Sequence, residues 1–258
     1  QGDYRVSSPL AALRARGRVS CTTWARNPRY LTASELARLS PDLLIIQMYV
    51  HDQALAALND WHQSGIKPFT AYALDDLVTH IDPSSPFFKN FNANNRARLK
   101  YALERCDRMV VSTDFIAHEY RHLHADIRVV PNRLEMEKWL PLRSLKRTGP
   151  KPRIGWAGGS THQKDLLLLK EVIEQTRDEA DWIFFGMCPE EIKPLLSEYH
   201  DLVDFAAYPA RLASLNLDIA VAPLADHIFN RGKSNLRLLE LGILGIPVVC
   251  TDIDPYWN

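Results

Sequence analysis

The chain lacks the marks of several common protein classes. It has only four cysteines in 258 residues, Cys21, Cys106, Cys188 and Cys250. They lie far apart and form no Cys-x-x-Cys pair, which argues against a structural zinc site and against a secreted disulfide framework. No run of about 18 apolar residues occurs, so no segment reads as a transmembrane helix. Neither sign of charge is in excess: 31 Lys and Arg balance 31 Asp and Glu. Bulk attraction to nucleic acid is therefore not indicated. Basic residues gather only locally, as between Arg143 and Arg153. There is no Gly-x-x-x-x-Gly-Lys-[Ser/Thr] phosphate loop and no Ser-His-Asp order with a nucleophile elbow. Repeats and low-complexity segments are missing too. No signal peptide is visible at Gln1, and a reducing cytoplasm is the expected compartment.

What is present is a chain with 46% hydrophobic residues, ample for a packed core. Its length suits one large domain or two modest ones. Short apolar runs alternate with helical patterns. Strands are expected at Asp42–Tyr49, Pro68–Ala73, Arg108–Ser112 and Ile127–Val130, with helices at Ala54–Ser64, Asn94–Arg105 and Phe115–His124 between them. Pro141–Arg153, with Pro, Gly and five basic residues, breaks the pattern and reads as a linker. The pattern restarts with strands at Arg153–Ala157, Trp182–Phe185, Val203–Ala206, Asp218–Ala222 and Ile246–Val249. Helices are expected at Lys164–Arg177, Pro189–His200 and Ala210–Leu215. Such alternation implies βαβ units and parallel sheets. The expected fold is thus α/β, two Rossmann-like domains facing a cleft, residues 1–143 and 151–258. Both ends read as incomplete for such domains.

The most informative stretch is residues 229–249, FNRGKSNLRLLELGILGIPVV. It reads as a basic loop, a helix, a glycine stop and a buried strand. Ser234 or Asn235 suits an N-cap, Gly245 suits the helix C-terminus, and Pro247 cannot continue a helix. The helix start would present N–H groups beside Arg231, Lys233 and Arg237, a setting that attracts phosphate. Glu240, further along the helix, would repel phosphate but suits a sugar hydroxyl. Phosphate donors followed by one hydroxyl acceptor suit a nucleotide or nucleotide-sugar site.

A second signal is residues 155–165, GWAGGSTHQKD, between a strand and a helix. Gly158 and Gly159 would let backbone approach a ligand closely. Ser160 and His162 stand beside that turn, and Lys164 could reach a phosphate. A third is Asp75-Asp76 at the end of a strand, where carboxylates commonly face a site in α/β folds. They could bind acceptor hydroxyls, or serve as a helix N-cap; without a third ligand they are poor support for a metal. His51 follows the first strand and could sit at a cleft rim. Residues 118–122, HEYRH, match the letters of a zinc motif. They fall on what should be a covering helix and read as a solvated face.

Residues 229–249 resemble the donor-binding segment of retaining glycosyltransferases of the two-Rossmann GT-B fold, in a branch seen in bacterial surface-polysaccharide enzymes. That family carries Glu-x7-Glu followed by small-x-Gly-x-Pro-Val-Val. Glu240, Gly245, Pro247, Val248 and Val249 match, while Gly232 stands in the first glutamate position. The resemblance implies a nucleotide-diphosphate-sugar donor and a glycan or lipid-linked acceptor. It implies a Gly-Gly turn at the donor and Lys164 on the diphosphate. Lys164, Arg237 and the Ser234-Asn235 amides would offset charge on the leaving diphosphate, and Glu240 would hold the ribose. Tyr208 falls where the family places groups near the base and could stack on it. Arg5 falls where the family's N-terminal loop nears the diphosphate. Asp75-Asp76 resembles a pair at this place in related enzymes. No cofactor and no metal are then required. Cytoplasmic placement is expected, with attachment to the inner face of a membrane left open. Two other readings stand beside this one: a nucleotide-sugar epimerase of similar architecture, and a non-catalytic glycosyltransferase-like binding domain.

Overall fold

The computed structural model describes residues 2–24, 29–48, 50–81, 88, 94–145 and 149–257. The chain forms two compact units, Gln1–Asn132 and Arg133–Asn258. The first begins with a π-helical turn, Asp3–Ser7, that runs into α1 (Ser8–Ala15). There follow α2 (Ala33–Leu39), β1 (Leu43–Gln47), α3 (Asp52–Gln63), β2 (Phe69–Leu74), α4 (Asn95–Leu103), β3 (Arg108–Val111), α5 (Asp114–Tyr120) and β4 (Ile127–Val129). The four strands are parallel and lie in chain order. Each expected strand and helix of this half has its counterpart, shifted by a residue or a few. The end of the first expected strand, Tyr49, lies outside the described residues.

Local chemistry explains these elements. Strand β2 is buried from Thr70 to Leu74. An unbroken apolar run of this kind marks a parallel strand covered on both faces. Helix α2 starts with a capping box: Glu35 N–H donates to Thr32 Oγ1 at 3.3 Å, and Thr32 N–H donates to Glu35 Oε2 at 2.9 Å. Two helix-start donors are thereby satisfied. Trp61 of α3 is buried and ties its indole N–H to the Leu31 carbonyl at 2.8 Å.

The second unit contains α6 (Met136–Trp139), β5 (Arg153–Gly158), α7 (Gln163–Leu167), α8 (Lys170–Thr176), β6 (Asp181–Gly186), β7 (Glu198–His200), α9 (Tyr208–Ser214), β8 (Ile219–Ala222), α10 (Ile228–Arg231), α11 (Leu236–Ile243) and β9 (Val248–Cys250). Its sheet is parallel with order β7-β6-β5-β8-β9. The first strand is central, and the chain winds to one edge before returning to build the other. Alternate side chains of β6 feed two cores: Trp182 and Phe184 on one face, Ile183 and Phe185 on the other. This is the period-2 alternation of a strand packed on both sides.

The division between units falls at Asn132, ahead of the Pro141–Arg153 stretch read as a linker. The reason is packing: buried Trp139 joins the second core, with Leu134 and Leu142 against it. Of that stretch, residues 146–148 lie outside the described residues.

Three sequence expectations are corrected. Pro189–His200 is not a helix; it holds a 3₁₀ turn, Lys193–Leu195, and then strand β7. Pro194 removes a donor that a helix interior needs. Val203–Ala206 is not a strand, because β7 already occupies the place beside β6. The helix expected over Lys164–Arg177 divides into α7 and α8. Among the described residues no helix is long and apolar enough to cross a membrane.

Candidate donor site

In a sheet wound this way the strand order reverses between β5 and β8. Open α/β sheets bind ligands outside the carboxyl ends of the strands at such a switch point. Here the β5–β8 ladder pairs only Ile154 with Ile219 and Gly155 with Ala220. Both strands run on past it, to Gly158 and Ala222. Most of the sequence-predicted residues of this half lie in the turn after β5 and in the loop and helix after β8, while Tyr208 lies on α9.

Gly158 ends β5. A Cβ there would press on the Trp156 ring and lie 3.2 Å from Nη2 of Arg237 on α11. The two segments singled out in the sequence therefore meet. A Cβ at Gly159 would meet nothing within 4 Å. Ser160 and Lys164 are exposed. Lys233 is half-buried, with Nζ 5.0 Å from the Phe229 ring centroid. Asn235 takes the cap position of α11, but its side chain makes no cap bond. Half-buried Ser234 precedes it. The far end of α11 closes as the sequence suggested. Gly245 has φ +72°, its N–H reaches Gly242 O, and Ile246 N–H reaches Leu241 O. This is a Schellman stop, with Ile246 and Leu241 sharing the core.

Arg237, Glu240 and Tyr208 form a triad in which Glu240 and Tyr208 are buried and the Arg237 side chain is 21% exposed. Arg237 Nη1 donates to Glu240 Oε2 at 2.6 Å and also meets the Tyr208 hydroxyl, which donates to the same Oε2 at 3.1 Å. Glu240 is 3% exposed. The triad corrects the stacking role expected of Tyr208. Its ring stacks on Phe185 at 5.5 Å and meets the edge of Trp139 at 6.3 Å, inside the core. Burial raises its phenol well above the ordinary range, against the pull of Arg237.

The sequence reading missed Asp165. This buried carboxylate accepts from His162 Nδ1, from Ala225 N–H and from Asn230 Nδ2, each at 2.8 Å. Asn230, also buried, passes a second bond to Ala225 O at 2.9 Å. Asp165 thus binds the turn after β5 to the loop after β8 and to α10. These bonds hold its pKa low although burial works the other way. The only sequence signal was the His162-to-Asp165 spacing of three, one turn of helix.

In the first unit Asp75 follows β2 and is 7% exposed. Its Oδ1 is buried without a hydrogen-bond partner, and its carbonyl accepts from Ser112 Oγ at 3.1 Å. Burial, then Asp76, push its pKa up to about 6, opposed by Arg5. Asp76 is half-buried. Arg5 binds the Val130 carbonyl and Asn132 Oδ1. His51 sits half-exposed at the start of α3 and makes no cap bond. His118 lies against Arg121, a cation, which suits no metal ligand. Among the described residues no group of three His, Cys, Asp or Glu could hold a metal ion.

The raised Asp75 pKa sets a pH dependence. The folded state holds this proton more tightly than the unfolded chain, so the stabilising contribution is complete below about pH 4 and is lost as pH rises through about 6. Asp75→Asn removes the loss. The stability difference between variant and parent should grow from pH 4 to 7 by on the order of 2–3 kcal/mol. Urea unfolding across that range checks it; parallel stability curves would show that Asp75 ionises normally.

The sequence matches no protein-family model and no curated protein. Solved structures do resemble it. The starch synthase IV catalytic domain from Arabidopsis thaliana, bound to ADP and acarbose, matches with TM-score 0.58 at 10% identity, over 86% of this chain and 59% of that one. The lipopolysaccharide outer core galactosyltransferase WaaB matches at 0.52 and 14%, over 86% and 59%. Anabaena Alr3699/HepE in complex with UDP matches at 0.51 and 12%, over 86% and 63%. The chain thus spans less than two thirds of each. The likeness establishes the fold: α/β, with two parallel-sheet, Rossmann-like units of the GT-B kind.

Proposed function

We propose that this chain is the nucleotide-sugar-handling part of a glycosyltransferase of hexosyltransferase type. It would move a sugar from a nucleotide-diphosphate donor to a glycan or lipid-linked acceptor. The observation that carries this is the second unit's switch point. There Gly158 and Gly159 stand beside an eight-residue helix whose start is flanked by Lys233 and Arg237. Helix N–H groups and fixed cations are what a diphosphate needs. Bound ADP and UDP in two structures of the same fold support the choice of ligand.

The diphosphate lies between the Gly158-Gly159 turn and the Ser234-Asn235 helix start, contacted by Ser160, His162, Lys164 and Lys233. Arg237, held by Glu240, adds a preorganised positive charge where the leaving group gathers negative charge. Glu240 also meets the ribose. Asp75 and Asp76 take acceptor hydroxyls. These fixed cations do what a metal does in other enzymes, so turnover proceeds without one. Retention of configuration and a role in O-antigen-type polysaccharide synthesis follow the resemblance of residues 229–249; a cytoplasmic site follows the cysteine usage, with attachment to the membrane's inner face left open. The non-catalytic binding domain is the second reading, favoured by Gly232 in the glutamate position.

Calorimetry with UDP, ADP, GDP and CDP, all in EDTA, tests the site. At least one should bind. Lys164→Ala and Lys233→Ala should each weaken it by roughly 1.5–3 kcal/mol, about tenfold or more. No binding by any of the four, or unchanged affinity in both variants, overturns the assignment. Sugar transfer that needs an added divalent ion would give Asp75 and Asp76 to a metal. Binding without transfer to any acceptor leaves the second reading standing.

A further inference from the structure

His162 is built into the second unit in a way that a surface histidine is not. Its side chain is 18% exposed. The ring meets the edge of Trp156 at 5.8 Å between centroids. Nδ1 lies 2.8 Å from Asp165 Oδ2, and the other oxygen of Asp165 is fixed by Ala225 and Asn230. The carboxylate cannot turn away without breaking three bonds, so it holds the imidazole with Nδ1–H inward. That leaves Nε2 as the nitrogen that changes protonation.

The charged groups that face this ring come from three elements. Asp165 on α7 favours the imidazolium. Lys233, between α10 and α11, and Arg237, on α11, oppose it. Tyr256, in the 3₁₀ turn Asp254–Tyr256, faces Asp165 and Arg237. With burial added, the balance keeps the ring neutral: its pKa lies below the ordinary value, burial being the largest cause. Two of the opposing groups are the cations placed beside the expected diphosphate. A polyanion there cancels both and adds its own attraction, so that burial alone is left to oppose the imidazolium that Asp165 and the ligand favour.

From this arrangement we infer that His162 takes up a proton when a diphosphate group enters the switch-point crevice, and then serves as a charged N–H donor whose orientation is fixed by Asp165. The proton leaves hydronium or the buffer acid and bonds to the Nε2 lone pair; no other covalent bond forms or breaks. His162 is the ligand-side residue and Asp165 its positioning residue. The inference rests on the donor-site reading above, extending it to how the site stores positive charge. In the empty site a third cation would repel Lys233 and Arg237. Uptake on binding supplies that charge only when a polyanion is present to stabilise it.

The test is calorimetry at pH 7 with UDP and, separately, inorganic pyrophosphate, each in PIPES and in Tris, whose ionisation enthalpies differ. The parent should take up a substantial fraction of one proton per bound ligand. His162→Gln should bind more weakly and lose that uptake, and its affinity should no longer rise as pH falls from about 8 to 6. Because the ligand's own phosphate titrates alike in both proteins, the difference isolates the imidazole. Asp165→Asn, checked for an unchanged melting temperature, should take up less proton than the parent. Nitrogen-15 shifts of the His162 ring should move from neutral to imidazolium on ligand addition. Equal proton uptake in parent and His162→Gln, or a ring that stays neutral when saturated, overturns the inference and leaves the donor site standing. Pyrophosphate binding with uptake, but no nucleoside diphosphate binding, supports the inference and removes the nucleotide reading. No binding of either ligand removes both.

Discussion

Glu240→Leu should destabilise the second unit by about 3–5 kcal/mol, among the largest effects of any single substitution in this chain. The carboxylate is buried and receives both the Arg237 guanidinium, at 2.6 Å, and the Tyr208 hydroxyl, at 3.1 Å. Removing it leaves the largely covered Arg237 guanidinium, 21% exposed, with the neutral Tyr208 hydroxyl and without its carboxylate. Coulomb repulsion is not the main loss; the desolvation of the guanidinium, no longer offset, is. Glu240→Gln keeps the shape and still accepts from Tyr208, so it should lose only about 1–3 kcal/mol. The double variant Arg237→Met with Glu240→Leu should recover much of the stability, because neither charge is left alone. It should not recover diphosphate affinity. Urea unfolding of the full chain, followed by a double-mutant cycle, measures all three. A loss under about 1 kcal/mol in Glu240→Leu would mean that water reaches the pair and that the triad is not a buried unit. Equal binding of ribo and 2′-deoxy donors by Glu240→Gln, against a ribo preference in the parent, would add the ribose contact.

The second large effect is expected at a backbone turn rather than at a charged side chain. Gly186 ends β6 with φ +102°, where L side chains are strained. A Cβ there would overlap the carbonyl oxygen of Gly158 and approach Leu202 Cδ2 to 2.9 Å. That same carbonyl accepts from Met187 N–H at 3.0 Å. Gly186→Ala must therefore push apart the carboxyl ends of β5 and β6. The combined strain and overlap should cost about 3–5 kcal/mol. Because Gly158 abuts Arg237, diphosphate binding should fall as well. Gly159→Ala is the control: its Cβ meets nothing within 4 Å and its φ is not positive, so stability should change by about 0.5 kcal/mol or less. Should Gly186→Ala melt with the parent, the turn has room to relax and the packing of β5 on β6 is looser than described.

Much of this was legible because it is local. The strands near residues 68, 153, 182 and 218 were visible because a parallel strand covered on both faces must be apolar throughout, and those near 42, 108 and 127 because they too are short apolar runs, although partly exposed. The stop of α11 was visible because only glycine takes φ +72° without strain, and proline two residues on forbids continuation. The Gly158-Gly159 turn and the basic start of α11 were readable one by one, and the structure brings them together at 3.2 Å from a Gly158 Cβ to Arg237. Strand β7 was missed because Glu198–His200 is only three residues long and half-buried, with no apolar run to announce it.

Tyr208 and Asp165 show where local reading ends. Tyr208 looked like a ligand-facing aromatic, yet its partner Glu240 is 32 residues away and its stacking neighbour Phe185 is on strand β6. Asp165 looked like one more polar residue at a helix start, yet its partners Ala225 and Asn230 lie 60 and 65 residues on. By itself the sequence determined most of the strands and helices, where the flexible glycine turns fall and which segments carry the cations, since each follows from periodicity, backbone sterics and side-chain charge over a few residues. Only the tertiary structure decided the strand order β7-β6-β5-β8-β9, the switch point between β5 and β8 and the pairing of the charges beside it. Those depend on which distant segments share a sheet edge, and burial there turns a carboxylate and a guanidinium from exposed groups into obligate partners.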